Sequence, residues 1–268
     1  MSTIDSLRRA ASTAGETIWR EASLRTELAR REWLRRAELA RQPGPEGVSG
    51  PPIRRLLGEL GAVRPRLRKD ASAHQSTDPQ PVMVLPGFGA HPVRMKPMLR
   101  ALEAAGHGAH GWGLGINLGP TPENFDFLCR RVARLSRLYG RPVVLVGWSL
   151  GGLFAREIAH RQPDTVAKVI TLGTPFSGDP HANNVWRAYQ FVTGHAVDCP
   201  PIDYLSAVKP PVPTIALWSP RDGVVAPRSA CGWPGERDRA VALRCTHLSL
   251  PHDAEALTEV LRQIDMTE

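Results

Sequence analysis

The chain predicts an α/β fold in which a mostly parallel sheet carries helices on both faces. Three observations lead there. From residue 81 onward, short apolar runs such as Val82-Met83-Val84-Leu85 and Val166-Ala167-Lys168-Val169-Ile170-Thr171-Leu172 alternate with helical segments, the order expected of parallel strands joined by helical crossovers. Several of these runs close in glycine-bearing loops, as at Pro86-Gly87-Phe88-Gly89 and Gly173-Thr174-Pro175. With 268 residues, 42% of them hydrophobic, the chain can bury the core of one ordinary domain and still carry an appendage.

The elements follow in order. Residues 3–41 are rich in Ala, Leu, Glu and Arg, and Leu7, Ala11, Ala14 and Ile18 recur at helical spacing. Trp19, Leu24, Leu28, Trp33 and Leu34 continue the apolar stripe less regularly. The Pro/Gly-rich stretch 42–52 breaks this helix and reads as a linker. Residues 1–52 are therefore expected to form a helical extension and 53–268 the main domain. A short basic helix is expected over Ile53–Leu60, then a polar loop over 64–80. Strands are expected at 82–85, 109–112, 142–146, 166–172, 213–218 and 240–244. Helices are expected at 95–105, 123–139 (with Phe127, Val132, Leu135 and Leu138 among its apolar positions), 153–159 and 254–264. Between them lies an insert, 174–211, without a clear strand; its run Val185–Val192 carries Trp186, Tyr189 and Phe191 and favours a short helix. An insert of this length within a compact domain is commonly functional. It follows a strand on the edge where open α/β sheets bind ligands, so it reads as a cap over a site, the other reading being a passive surface loop.

Charge and cysteine content narrow the function. The formal net charge is +8, and residues 1–70 hold 15 of the Arg/Lys against 9 Asp/Glu, so the basic excess belongs to the N-terminal part. These basic residues are interleaved with glutamates and carry no nucleic-acid motif, which argues against nucleic-acid binding. The N-terminal helix permits three dispositions: packing on the main domain, self-association, or peripheral contact with an anionic membrane surface. No apolar run reaches the length of a membrane span. The N-terminus lacks a signal-peptide core, so a cytoplasmic location is expected. Cys129, Cys199, Cys231 and Cys245 show no metal-binding spacing and read as free thiols, with a Cys231–Cys245 bridge left open.

The chemistry is concentrated in Gly147-Trp148-Ser149-Leu150-Gly151, which follows the apolar run 142–146 and precedes a helix. A G-x-S-x-G pentapeptide between strand and helix forms a sharp turn that lifts the serine hydroxyl off the sheet. The helix N-terminus behind it favours developing negative charge. A serine needs a base, and the base an acid to orient it. Asp222, just past the strand ending at Trp218, is the candidate acid; Asp198 and Asp203 in the insert are the next candidates. His247, directly after the last expected strand, is preferred as base over His252, which reads as the start of the final helix. Backbone N–H groups of Leu150 and Phe88 are the candidates for an oxyanion hole. Trp186, Tyr189 and Phe191 are the candidate substrate contacts. His91 reads as exposed, Asp179 and His181 as minor candidates for substrate contact, and no metal site is expected.

Together Val84-Leu85-Pro86-Gly87-Phe88-Gly89, Gly147-Trp148-Ser149-Leu150-Gly151-Gly152, Asp222-Gly223-Val224-Val225 and Thr246-His247-Leu248 resemble the α/β-hydrolase superfamily, and within it the small bacterial triacylglycerol lipases and esterases. The resemblance spans roughly residues 81–268. Pro86 stands where many lipases carry histidine. The resemblance implies an α/β-hydrolase fold and cleavage of a small-molecule ester with an apolar acyl chain through an acyl-enzyme on Ser149, with no cofactor. Acyl transfer by the same triad, or a non-catalytic binding protein on this fold, are the rival expectations.

Overall fold

The computed structural model of the protein describes residues 24–61, 75–205 and 207–266. Six strands, β1 (Pro81–Leu85), β2 (Gly108–Gly111), β3 (Val143–Trp148), β4 (Val166–Leu172), β5 (Thr214–Trp218) and β6 (Arg239–Ala242), form one sheet in the order β2-β1-β3-β4-β5-β6. All neighbouring pairs are parallel. The chain steps from β1 outward to β2, then returns across β1 to β3. Loops leaving the C-terminal ends of β1 and β3 therefore diverge and open a crevice between them.

Side chains alternate along each strand, and the alternation sorts the core into two layers. Val82, Val84, Val144, Val146, Ile170 and Leu217 face one side, where they pack with Met98 and Leu102 of α3 (Lys96–Ala104) and Val260 and Ile264 of α8 (Ala254–Asp265). Met83, Leu85, Leu145 and Val169 face the other, against Phe125, Leu128 and Val132 of α4 (Pro122–Tyr139) and Phe154 and Ile158 of α5 (Leu150–Arg161). Local signals set the helix ends. Thr121 and Asn124 form a reciprocal capping box on α4, and Gly140 closes it in the left-handed conformation.

Several details emerge only in the fold. Leu138 is 70% exposed, because the buried face of α4 is set by Phe125, Leu128, Val132 and Leu135. β6 ends at Ala242, two residues early, as an edge strand bonded on one side only. A short helix, α7 (Pro227–Cys231), stands where no element was expected; proline in its first turn is the one cue for it. All four cysteines are free thiols, so Cys231 and Cys245 do not pair.

Residues 24–41 are helical (α1), and α2 (Ile53–Gly61) follows the linker. Among its described residues the insert 174–211 holds one regular helix, α6 (Trp186–Thr193). α1 lies against α6: Trp33 meets Phe191 edge-on at 6.2 Å, Gln190 Nε2 donates to Leu39 O at 2.9 Å, and Arg36 Nη1 donates to Val192 O at 2.8 Å. For its described part, the N-terminal helix thus packs on its own chain. Its remaining stripe residues, Leu7, Ala11, Ala14, Ile18 and Trp19, lie outside the described residues, as does most of the expected 64–80 loop. Among the described residues no helix is long and apolar enough to cross a membrane.

The junction of β3 and α5 tolerates no added volume. A Cβ on Gly151 would lie 2.3 Å from Leu85 O, a backbone atom of β1 that cannot swing away. Gly151→Ala is expected to destabilise the fold by about 3 kcal/mol or more, read as a lowered urea midpoint at unchanged slope.

Candidate active site

Ser149 joins β3 directly to α5, with φ +53° and ψ −123°, and is the only non-glycine residue at positive φ among the described residues. Such a conformation persists only where its surroundings over-determine it. Here they do. Ser149 N–H donates to Leu172 O at 2.8 Å, and Thr174 Oγ1 donates to Ser149 O at 2.9 Å. The flanking glycines allow the close contacts: a Cβ on Gly147 would lie 2.4 Å from Gly152 Cα, and one on Gly152 would lie 2.0 Å from Thr174 Oγ1.

Asp222 and His247 leave the ends of β5 and β6 and meet beneath this turn. His247 Nδ1 and Asp222 Oδ2 are hydrogen-bonded at 2.7 Å, and both residues are buried. Asp222 Oδ1 accepts from Val224 N–H at 2.8 Å and Val225 N–H at 2.7 Å, so the carboxylate is held at both oxygens. His247 O accepts from Trp148 Nε1–H at 3.1 Å, which ties the histidine to the residue preceding Ser149. Gly173, following β4 at φ +58°, lets the pair approach: its Cβ would lie 2.9 Å from His247 Nδ1 and 3.2 Å from Asp222 Oδ2. The bonded pair is thus His247 and Asp222. Ser149 follows the end of β3, next to the residue that bonds His247 O.

The loop after β1 presses on Ser149 from the other side. A Cβ on Gly87 would lie 3.1 Å from Ser149 Cβ. Gly89 N–H donates to Asn117 O at 2.7 Å and Ala90 N–H to Gly87 O at 3.1 Å, so those two amides are committed within the loop. Leu150, as the first residue of α5, has an N–H with no acceptor inside the helix. Fully buried Asn117 fastens the loop: its Nδ2 donates to Pro86 O at 2.7 Å and its Oδ1 accepts from Gly119 N–H at 3.1 Å.

Above Ser149 is a cavity of about 390 Å³ whose walls include Phe88, Leu150, Leu153, Trp186, Tyr189 and Ile202. Trp186 and Tyr189 therefore line it, as do Asp198 and Asp203, neither of which is the partner of His247 Nδ1. Phe191 corrects the sequence reading. It lies two residues beyond Tyr189, on the opposite side of a helix that advances about 100° per residue, and packs on Trp33 instead. Burial pushes up the phenols of Tyr189 and Tyr204, which also line the cavity.

The remaining candidates have local duties. His91 is exposed and caps the turn at Pro92–Met95 by accepting from Val93 N–H. His181 bonds Asp179 at 2.8 Å and rests on Trp186. His252 precedes Asp253, which caps α8, and burial followed by the nearby Arg94 charge lowers its pKa. Asn117, Thr174 and Glu59, a buried carboxylate of α2 bonded to Gly223 and Leu248, escaped the sequence reading. Each is an ordinary residue in an ordinary loop or helix until the fold assigns its partners.

The parallel sheet and the turn after β3 give this chain an α/β-hydrolase fold, and in that fold it resembles bacterial lipases and esterases. A family model described as alpha/beta hydrolase fold matches residues 80–192. The Bacillus licheniformis lipase BlEst2 in propeptide form superposes with a TM-score of 0.54 at 17% identity, over 74% of this chain and 53% of that one. The pyrethroid hydrolase PytH superposes with a TM-score of 0.50 at 17% identity, over 70% and 97%. At such identity these structures speak for the fold. In sequence, the biotin biosynthesis bifunctional protein BioHC of Teredinibacter turnerae is 30% identical over 110 residues, 38% of this chain and 19% of that protein.

Replacing Asn117 by Ala would leave Pro86 O and Gly119 N–H without their buried partner. The expected cost is about 1–3 kcal/mol of stability, together with a fall in any turnover that uses the Phe88 amide. Thermal melting and initial rates on one preparation measure both.

Proposed function

We propose that the protein is a serine hydrolase that cleaves carboxylic esters with apolar acyl groups. The observation that carries this reading is the 2.7 Å bond of His247 Nδ1 to Asp222 Oδ2 beside the strained Ser149 turn, at the foot of a largely apolar cavity. Ser149 Oγ attacks the ester carbonyl while His247 Nε2 takes its proton. Asp222 holds the Nδ1–H tautomer and stabilises the imidazolium that forms. The negative charge arising on the carbonyl oxygen is met by the N–H groups of Phe88 and Leu150, aided by the N-terminus of α5. Collapse expels the alcohol, protonated by His247, and leaves an acyl-enzyme that water hydrolyses by the same steps in reverse. The lipase and pyrethroid hydrolase of the same fold support ester cleavage as the class of reaction.

Ser149→Ala is expected to abolish p-nitrophenyl ester hydrolysis and fluorophosphonate labelling without loss of fold, and His247→Ala to be comparably damaging. Asp222→Asn is expected to lower kcat by about 10⁴-fold through the wrong imidazole tautomer, the magnitude of the general Ser–His–Asp template. Labelling of the Ser149→Ala protein at the normal rate would move the nucleophile elsewhere.

Leu153 lines the cavity from α5, so Leu153→Trp fills acyl space without touching the reacting groups. Activity on octanoyl esters is expected to fall about tenfold more than on acetyl esters. Equal losses at both chain lengths would take the acyl group out of this cavity.

A further inference from the structure

Glu59 has a place that none of the roles above uses. It lies on α2, outside the residues matched by the hydrolase family model, yet it is buried. Its Oε1 accepts from Gly223 N–H at 2.6 Å, and its Oε2 accepts from Leu248 N–H at 2.8 Å. Gly223 is the residue after Asp222, and Leu248 the residue after His247. One carboxylate therefore spans the peptide following the acid and the peptide following the base. Buried carboxylates are costly unless their oxygens find donors, and both oxygens of Glu59 do. Hydrogen bonds to a carboxylate are also the stronger kind.

The surroundings are built for this contact. A Cβ on Gly223 would lie 2.6 Å from Leu56 N and 2.7 Å from Arg55 C, so the absence of a side chain there lets the backbone of α2 close on the acid turn. Arg55 Nη1 donates to Pro220 O at 2.9 Å on the same turn, and Leu56 packs with Val224 and Val225. Further from the reacting atoms, Ser219 Oγ donates to Cys245 O at 2.5 Å and joins the two loops a second time. Asp222 and His247 sit on loops from different strands. A shift of either loop by a fraction of an ångström would lengthen the bond between them.

We propose that Glu59 is a positioning residue that holds the Asp222 and His247 turns at their bonding distance, so that the segment before the sheet completes the site. The proposal rests on the Ser149–His247–Asp222 reading above. Glu59 touches no reacting atom and acts through the two turns.

The test uses the full chain. Glu59→Gln keeps the volume but offers one acceptor where there were two, and turns an NH₂ toward one of the two amides. Expected is a fall of about tenfold in kcat with KM within about twofold, and a folded protein by circular dichroism. Introduced into Asp222→Asn, the same change is expected to cost less than about twofold, because the pair it positions is already broken. A purely structural role predicts equal losses in both backgrounds. Glu59→Asp keeps the charge but is one methylene too short to reach both amides; it is expected to lose kcat as well, and serves where the Gln protein does not fold. A kcat within twofold of the parent in the folded variant, or equal losses in both backgrounds, would overturn the proposal. Retained activity in Ser149→Ala would instead overturn the serine reading, and that outcome is read independently.

Discussion

The approach of the α5 N-terminus to the C-terminal ends of β1, β3 and β4 is the contact on which the rest of the site depends. Gly147, Gly151 and Gly152 bring backbone within distances that any Cβ would forbid: Gly152 Cα, Leu85 O and Thr174 Oγ1 would each lie 2.0–2.4 Å from it. With that closeness fixed, Ser149 has no room for an ordinary conformation and takes φ +53°. The strain is offset by the hydrogen bonds to Leu172 and Thr174. The same closeness sets the first N–H groups of α5 and the Gly87–Phe88 turn against the serine. A single packing constraint thus places the hydroxyl and the amides around it.

The buried pair is assembled on a longer scale. Asp222 and His247 come from strands two and three places along the sheet from β3, and Gly173 lets them in by presenting no side chain where Nδ1 and Oδ2 lie. The parts that do not belong to the central sheet are drawn in as well. α2 closes on Gly223, and α1 packs on the outer face of α6, whose inner face carries Trp186 and Tyr189 into the cavity. The linker 42–52 is part of this packing. Asn184 Nδ2 donates both to Pro51 O and to Gly223 O, joining linker, insert and acid turn at one side chain.

Local periodicity made most of the fold legible, because strand alternation and helical spacing are properties of neighbouring residues. All six strands were anticipated; the early end of β6 and the unexpected short helix α7 lie at the sheet edge and beside it. There one-sided bonding and tertiary contact outweigh propensity. Leu138, apolar in sequence, is exposed for a related reason. A helix presents one face to the sheet, and four other apolar residues of α4 had already claimed it. Phe191 fell to the same geometry on α6: its hydrophobicity was visible, but the neighbour that would cover it was α1.

By itself the sequence determined the strand–turn–helix around Ser149 and the order of the serine, acid and histidine candidates. Each of these is written in contiguous residues whose small size or apolar pattern leaves few conformations open. The sequence ranked Asp222 ahead of Asp198 and Asp203, but tertiary structure alone supplied the contact: the loops after β5 and β6 bring Asp222 to 2.7 Å from His247 Nδ1. Tertiary structure likewise decided the partners of Asn117 and Glu59, the latter separated from its donors by 164 and 189 residues. A hydrogen bond needs an angstrom-scale meeting of two groups, and across such lengths of chain that meeting is fixed by the packing of the sheet, with no trace in the spacing of the residues.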